Sequence, residues 1–180
     1  MAGVLPMAPL PAALLGGSAP LQAWRIDAEA HAAHWDSGIG AERYGGRWNP
    51  KGRRAVYCSL DPATCLVEAA VHRGFEVLDT RPHVLSCVEL LPRAPGDPGV
   101  HVVPPEDLPN PAWLHGGVPG AGQQAHGAAL LAAHGVLLLP SAVSRHSWNL
   151  LFCPEAAAGR WRLVGQQRLV VDTRLNPPRR

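Results

Sequence analysis

Charge is what this chain has least of: Asp, Glu, Lys and Arg make up 17% of 180 residues, and the formal net charge is only +2. No Lys/Arg run exceeds Arg53-Arg54 before the terminal Arg179-Arg180, so a general nucleic-acid-binding face is not expected. No segment approaches 18 uninterrupted apolar residues, and no membrane span is expected. The four cysteines, Cys58, Cys65, Cys87 and Cys153, form neither a Cys-x-x-Cys pair nor a zinc-type Cys/His spacing. They are read as reduced and buried, and no metal site is expected. The histidines His31, His34, His72, His126, His134 and His146 are scattered and read as surface or core residues. Ser141 lies in Pro140-Ser141-Ala142, which lacks the Gly-x-Ser-x-Gly elbow of a hydrolase nucleophile.

What the chain does have is glycine and proline, 19 of each, which predict short elements and many turns within one domain. Residues 1–20 are apolar and Pro-rich with no positive leading region, a poor signal peptide. They are expected to be a disordered or loosely docked extension, with the domain spanning 21–176 and a cytoplasmic location. Strands are predicted at 21–27, 55–59, 84–91, 100–103, 136–139, 148–153 and 161–164. A short helical segment is expected at 28–35. A helix over 62–73 is opened by the cap Asp61 and by Pro62 and closed by Gly74. Another helix at 123–134 ends at Gly135, after a loop-like stretch from Pro104 to Gly122. Strands and helices mix without a βαβ repeat, which indicates an α+β fold.

The segment that core-building does not explain is Gly40-Ala41-Glu42-Arg43-Tyr44-Gly45-Gly46-Arg47-Trp48-Asn49-Pro50. Gly45-Gly46 lets the backbone approach a ligand closely. Arg43 and Arg47 supply planar forks suited to phosphate or carboxylate. A glycine-rich β-turn with solvated arginines accounts for the same residues equally well. Glu68 is ambiguous too: on a helical wheel Leu66, Val67, Ala70 and Val71 share one broad face. Glu68 falls beside Cys65 and His72, so periodicity alone puts it on the more polar side.

Taken in order, the glycine-rich block, Val56-Tyr57-Cys58-Ser59, Cys65 to His72 around Glu68, Leu139 to Val143 around Ser141, and Trp148-Asn149-Leu150-Leu151 resemble the RES-domain family. That family is named for an arginine, a glutamate and a serine, and its members are typically toxins of bacterial toxin–antitoxin pairs. The resemblance runs from about Trp24 to about Leu175. It implies a fold similar to the ADP-ribosyltransferases, a small split sheet with an NAD cleft. It also implies NAD as substrate, cleaved at the nicotinamide–ribose bond with inorganic phosphate as co-substrate, or else water or a protein side chain as acceptor.

By the same resemblance Arg47, Glu68 and Ser141 are the catalytic set, and Arg25, Tyr44, Arg47, Tyr57 and Asn149 are expected to bind the dinucleotide. The implied partner is a cognate antitoxin of the DNA-binding Xre type that covers the cleft, with assembly into a higher-order toxin–antitoxin oligomer. Two departures are visible. Where many members carry Gly-Asp-x-Trp and Asn-Pro-x-His, this chain has Gly122-Gln123-Gln124-Ala125 and Cys153-Pro154-Glu155-Ala156. They bear on the pocket wall, and they give motive to a rival reading, a non-catalytic binding module on the same fold.

Overall fold

The computed structural model describes residues 5–175. Seven strands form one sheet: β1 (Leu21–Ala28), β2 (Val56–Ser59), β3 (His83–Leu90), β4 (His101–Val102), β5 (Val136–Pro140), β6 (Trp148–Phe152) and β7 (Trp161–Arg168). Their order is β4-β5-β6-β2-β1-β3-β7, antiparallel except for the β4–β5 pair. The sheet is nearly divided in two. Between β1 and β2 the pairing is confined to Trp24 opposite Ser59, whereas β1 runs alongside β3 from Leu21 to Ala28.

Alternation along the buried strands sorts side chains onto two faces. Val136, Leu138, Leu150 and Phe152 join Trp35 and Val88 in one core. Leu137, Leu139 and Leu151 join Trp48 and Leu131 in a second. A third cluster, with Ile26, Cys65, Ala70 and Leu78, packs helices α2 (Pro62–Arg73) and α3 (Phe75–Thr80) onto the other half of the sheet. Helix α4 (Ala121–His134) lies over the second core, where Gly127 is required: a Cβ there would stand 2.3 Å from the Trp48 carbonyl oxygen. Within residues 5–20 the chain touches the first core, with Ala13 buried and Met7, Leu10 and Leu14 packed against it. Trp148 Nε1 donates to the Ala8 carbonyl at 2.8 Å.

Helix α2 begins and ends as its capping residues dictate: the Thr64 amide donates to Asp61 Oδ1 at 2.7 Å, and Gly74 takes φ +84°. Its wheel, however, is turned from the expected one. Cys65 is 6% exposed and Val71 is 65% exposed, so the side that carries Glu68 and Cys65 faces the sheet. Two short helices arise that the sequence did not announce, α1 (Ile39–Tyr44), which runs into the glycine-rich block, and α3 directly after Gly74. The stretch from Pro104 to Gly122 holds two 3-10 turns, Pro105–Asp107 and Pro111–Leu114.

Candidate active site

The carboxylate of Glu68 is the centre of the site. Strand register builds its surroundings: Asn149 on β6 stands opposite Ser59 on β2 and opposite Leu139 on β5, just before Ser141. Asn149 Nδ2 donates to Glu68 Oε1 at 2.5 Å and Ser141 Oγ donates to the same oxygen at 2.7 Å. Ser59 Oγ donates to Asn149 Oδ1 at 2.8 Å, which fixes the amide so that its NH2 faces the carboxylate. Ser141 Oγ in turn accepts the amides of Val143 (3.1 Å) and Ser144 (2.8 Å). With Oε1 doubly held, Oε2 has the exposed His72 imidazole at 4.0 Å. The half-buried carboxylate thus has one oxygen anchored by two donors and the other turned toward the exposed side of the helix.

The glycine-rich block is organised by a residue the sequence reading passed over. Asn49 is 0% exposed, and its Nδ2 donates to the carbonyls of Ala41, Pro50 and Arg53 at 3.0, 3.1 and 2.9 Å. Its Oδ1 accepts the Tyr57 hydroxyl at 2.6 Å, and that hydroxyl accepts the Trp48 amide at 3.1 Å. Burial pushes the Tyr57 phenol well above its usual pKa. Gly46 must be glycine, since a Cβ there would lie 2.4 Å from the Tyr57 hydroxyl. Gly45 takes φ +74°, ending α1. Gln124 Nε2 closes the turn from α4 by donating to the Gly46 carbonyl at 2.9 Å.

The two arginines of interest differ. Arg25 grips Asp27 through Nε and Nη2 at 2.8 and 2.7 Å and gives Nη1 to the Tyr57 carbonyl at 2.9 Å. Burial opposes its charge, but Asp27, with Cys58 and Cys65, outweighs that and holds its pKa above the usual arginine value. Arg47 instead reaches across to the loop after the second 3-10 turn. Nη1 donates to Trp113 O at 3.0 Å and His115 O at 3.3 Å, and Nη2 donates to Gly117 O at 3.3 Å. Gln123, buried in α4, donates to the same Trp113 carbonyl at 3.0 Å. The two glutamines at the first departure from the family pattern therefore hold both sides of the basic region. Tyr44 is 77% exposed at the end of α1.

Between the loop that Arg47 holds and the loop after Ser141 lies an open cleft of about 380 Å³, lined by Leu114, His115 and Gly116 on the first and by Ala142, Val143 and Arg145 on the second. The structure thus joins Glu68, Ser141 and Asn149 into one network and ties Tyr57 to the Arg47 turn, while it places Arg25 in a separate ion pair beneath β2. Ser59, Asn49, Gln123 and Gln124 were not singled out for these contacts. The signals were strand register for Ser59 and the departure from the family pattern for the glutamines. Among the described residues no group of three or more His, Cys, Asp or Glu could hold a metal ion. Nor is any helix there long and apolar enough to cross a membrane.

A split-sheet α+β domain, with a glutamate buttressed by a serine just after β5 and an asparagine on the neighbouring β6, is the class this architecture defines. Within that class the RES domain profile matches residues 22–172, and the chain belongs to the RES-domain family. It is 34% identical over 86 residues to Toxin Res of Yersinia enterocolitica serotype O:8 / biotype 1B, an alignment covering 48% of this chain and 53% of that protein. The chain therefore spans about half the length of the curated relative it matches. The fold superposes on a chain in the crystal structure of the M. tuberculosis MbcT–MbcA toxin–antitoxin complex with a TM-score of 0.64. That match is 21% identical and covers 84% of this chain and 85% of the other, a likeness of fold.

Proposed function

We propose that this chain is the toxin of a toxin–antitoxin pair and that it degrades NAD by transferring the ADP-ribosyl group to inorganic phosphate. The observation that carries the reading is Glu68, held through Oε1 by Ser141 and Asn149, with one cleft wall starting at Ala142, the residue after that serine. In the reaction the bond between ribose C1′ and the nicotinamide nitrogen breaks, and its electron pair leaves with nicotinamide, which becomes neutral. A phosphate oxygen forms the new bond to C1′, giving ADP-ribose 1″-phosphate. The ribose passes through an oxocarbenium-like centre, and the Glu68 carboxylate stabilises that charge while accepting a ribose hydroxyl, the electrostatic logic glycosidases share. Nicotinamide is a good leaving group, so no general acid is needed.

Ser141 and Asn149 keep Glu68 oriented, and Ser59 keeps Asn149 oriented. Arg47 exchanges the loop carbonyls for the dinucleotide's pyrophosphate, a charge-assisted and bidentate match. Tyr57 carries the turn that presents Arg47, and Tyr44 offers an exposed ring at its edge. Arg25 supports the site from below, holding the β2 backbone at Tyr57. Water is the second acceptor and a protein side chain the third. The proposed partner is an antitoxin protein that covers this cleft and is DNA-binding; the toxin names of the relatives support the existence of such a partner. A non-catalytic binding module is the second reading, and the engagement of Arg47 by three carbonyl groups favours it.

Incubating the purified protein with NAD, with and without phosphate, separates these readings by mass spectrometry. Phosphate-dependent ADP-ribose phosphate plus nicotinamide supports the main reading. Free ADP-ribose makes water the acceptor. Intact NAD in both, together with unimpaired growth of cells expressing the chain, would establish the binding module.

A further inference from the structure

The loop between β5 and β6 is stiff, yet it carries a free arginine. Five hydrogen bonds fix its backbone and serines: Ser141 N to Ser147 O at 2.9 Å, Ser147 N to Ser144 O at 2.8 Å, the Val143 and Ser144 amides to Ser141 Oγ, and Ser144 Oγ to Ser147 Oγ at 2.9 Å. Arg145 sits in this loop, is exposed, and has no hydrogen bond or ion pair with any described residue. It lines the cleft opposite His115, and the other lining residues, Leu114, Gly116, Ala142 and Val143, are apolar or small. No carboxylate lines that cleft. A lone cation against low-dielectric walls focuses its field on the space it faces.

Arg145 differs from the two arginines of the site described above, and it is the arginine that lines the cleft. Arg25 is consumed by Asp27 and a carbonyl, and Arg47 must break three contacts before it can bind anything. Arg145 has nothing to give up. We infer that Arg145 is the side chain that first binds a phosphate group of the substrate in this cleft. It lies four residues after Ser141, the serine that donates to Glu68, so one loop carries both the cation and the group that anchors the carboxylate. A phosphate group can come from the dinucleotide or from inorganic phosphate, and both are recognised by the same guanidinium. The identity of the ligand rests on the reading above, whereas the presence of an anion site rests on the cleft alone.

The test is equilibrium binding by calorimetry of inorganic phosphate, pyrophosphate and NAD to the full chain carrying Glu68→Gln, which prevents turnover, with and without Arg145→Ala or Arg145→Lys. Arg145→Ala should weaken binding of a phosphate-bearing ligand about tenfold or more, Arg145→Lys less, because a lysine keeps the charge but not the fork. Weakening confined to inorganic phosphate makes this the acceptor's subsite. Weakening of pyrophosphate and NAD makes it the dinucleotide's. Affinities of Arg145→Ala within twofold of its parent for all three overturn the inference; an exposed side chain with no hydrogen bond or ion pair to a described residue should leave the thermal midpoint unchanged, so the variant stays folded. If the chain with Glu68 intact turns over no NAD but loses pyrophosphate binding with Arg145→Ala, the enzymatic reading fails and this one stands. If NAD is turned over and Arg145→Ala binds normally, the reverse holds.

Discussion

The turn at 45–54 and the loop at 113–118 face each other across Arg47, and they are built in opposite ways. In the turn, every polar atom of the buried Asn49 amide is used, a tyrosine hydroxyl is spent on the backbone, and helix α4 closes against it through Gly127 and Gln124. The loop has a left-handed Gly117 with open space around it and a Val118 that is 97% exposed, and Arg47 and Gln123 hold it by carbonyl groups. The turn and the Glu68 network form a fixed half, where chemistry needs atoms placed to a few tenths of an ångström. The loop forms an adaptable half. Local stability in proteins divides along such lines.

The sharpest challenge to the fixed half is Glu68→Gln. The amide can still accept from Ser141 and Asn149, so the fold and NAD affinity should stay within a few-fold of normal. Turnover should fall by about 100-fold or more, the scale of losing one preorganised electrostatic group. Near-normal turnover in a product assay would remove Glu68 from the role given to it.

Next come substitutions that test the knot itself. Asn49→Ala strands three carbonyl groups and the Tyr57 hydroxyl, and should cost about 3 kcal/mol in urea unfolding. Gly127→Ala drives a Cβ into Trp48 and should cost about 2 kcal/mol or more. If either variant unfolds at the normal urea midpoint, the turn is not the rigid element the comparison makes it.

Alkaline pH probes the floor beneath the fixed half. Burial pushes the Cys58 thiol up to about 12, with Arg25 pulling the other way. The folded state therefore holds this proton more tightly than the unfolded chain does. The stabilisation is complete below pH 9 and is lost as pH rises toward 12, at about 1.4 kcal/mol per pH unit from this thiol. Cys58→Ala should remove that share of the alkaline slope, read from urea midpoints at pH 8, 9.5 and 10.5; an unchanged slope would deny Cys58 its buried, neutral state.

What could be read from the sequence follows the same division. Helix α2 was legible to the residue because Asp61, Pro62 and Gly74 are local signals. The buried strands were legible because Val136 to Leu139 and Trp148 to Phe152 are continuous apolar runs. Helix α1 was hidden by Gly38, Gly40 and Gly45, which read as turn residues although two of them bound a helix. The outer part of β7, Gly165 to Arg168, has no pattern of its own and is a strand only because β3 pairs with it. Glu68, Ser141 and Asn149 were named together by resemblance, since the wheel alone placed the glutamate on the polar side; that they share one hydrogen-bond network is legible only in the structure. Ser59 needed the register with Asn149, which no local signal carries. The hold of Arg47 on residues 113, 115 and 117 depends on a contact spanning some seventy residues, and nothing local encodes it.

The smallest effects belong to the adaptable half. Gln123→Ala frees the Trp113 carbonyl, where water can take over as the loop opens, so it should cost about 1 kcal/mol, less than either substitution at the knot. The more telling readout is hydrogen exchange. Amides of 114–118 should exchange much faster than those of the 45–54 turn in the free protein, and Gln123→Ala should widen the gap. Pyrophosphate or NAD should narrow or widen it according to how Arg47 is used. Slower exchange at 114–118 means that the loop closes over the ligand; faster exchange means that the ligand has taken Arg47 from the loop's carbonyls. Equal protection of the two segments in the free protein would dissolve the comparison, because it would make the loop as fixed as the knot and leave the cleft with no wall that can yield.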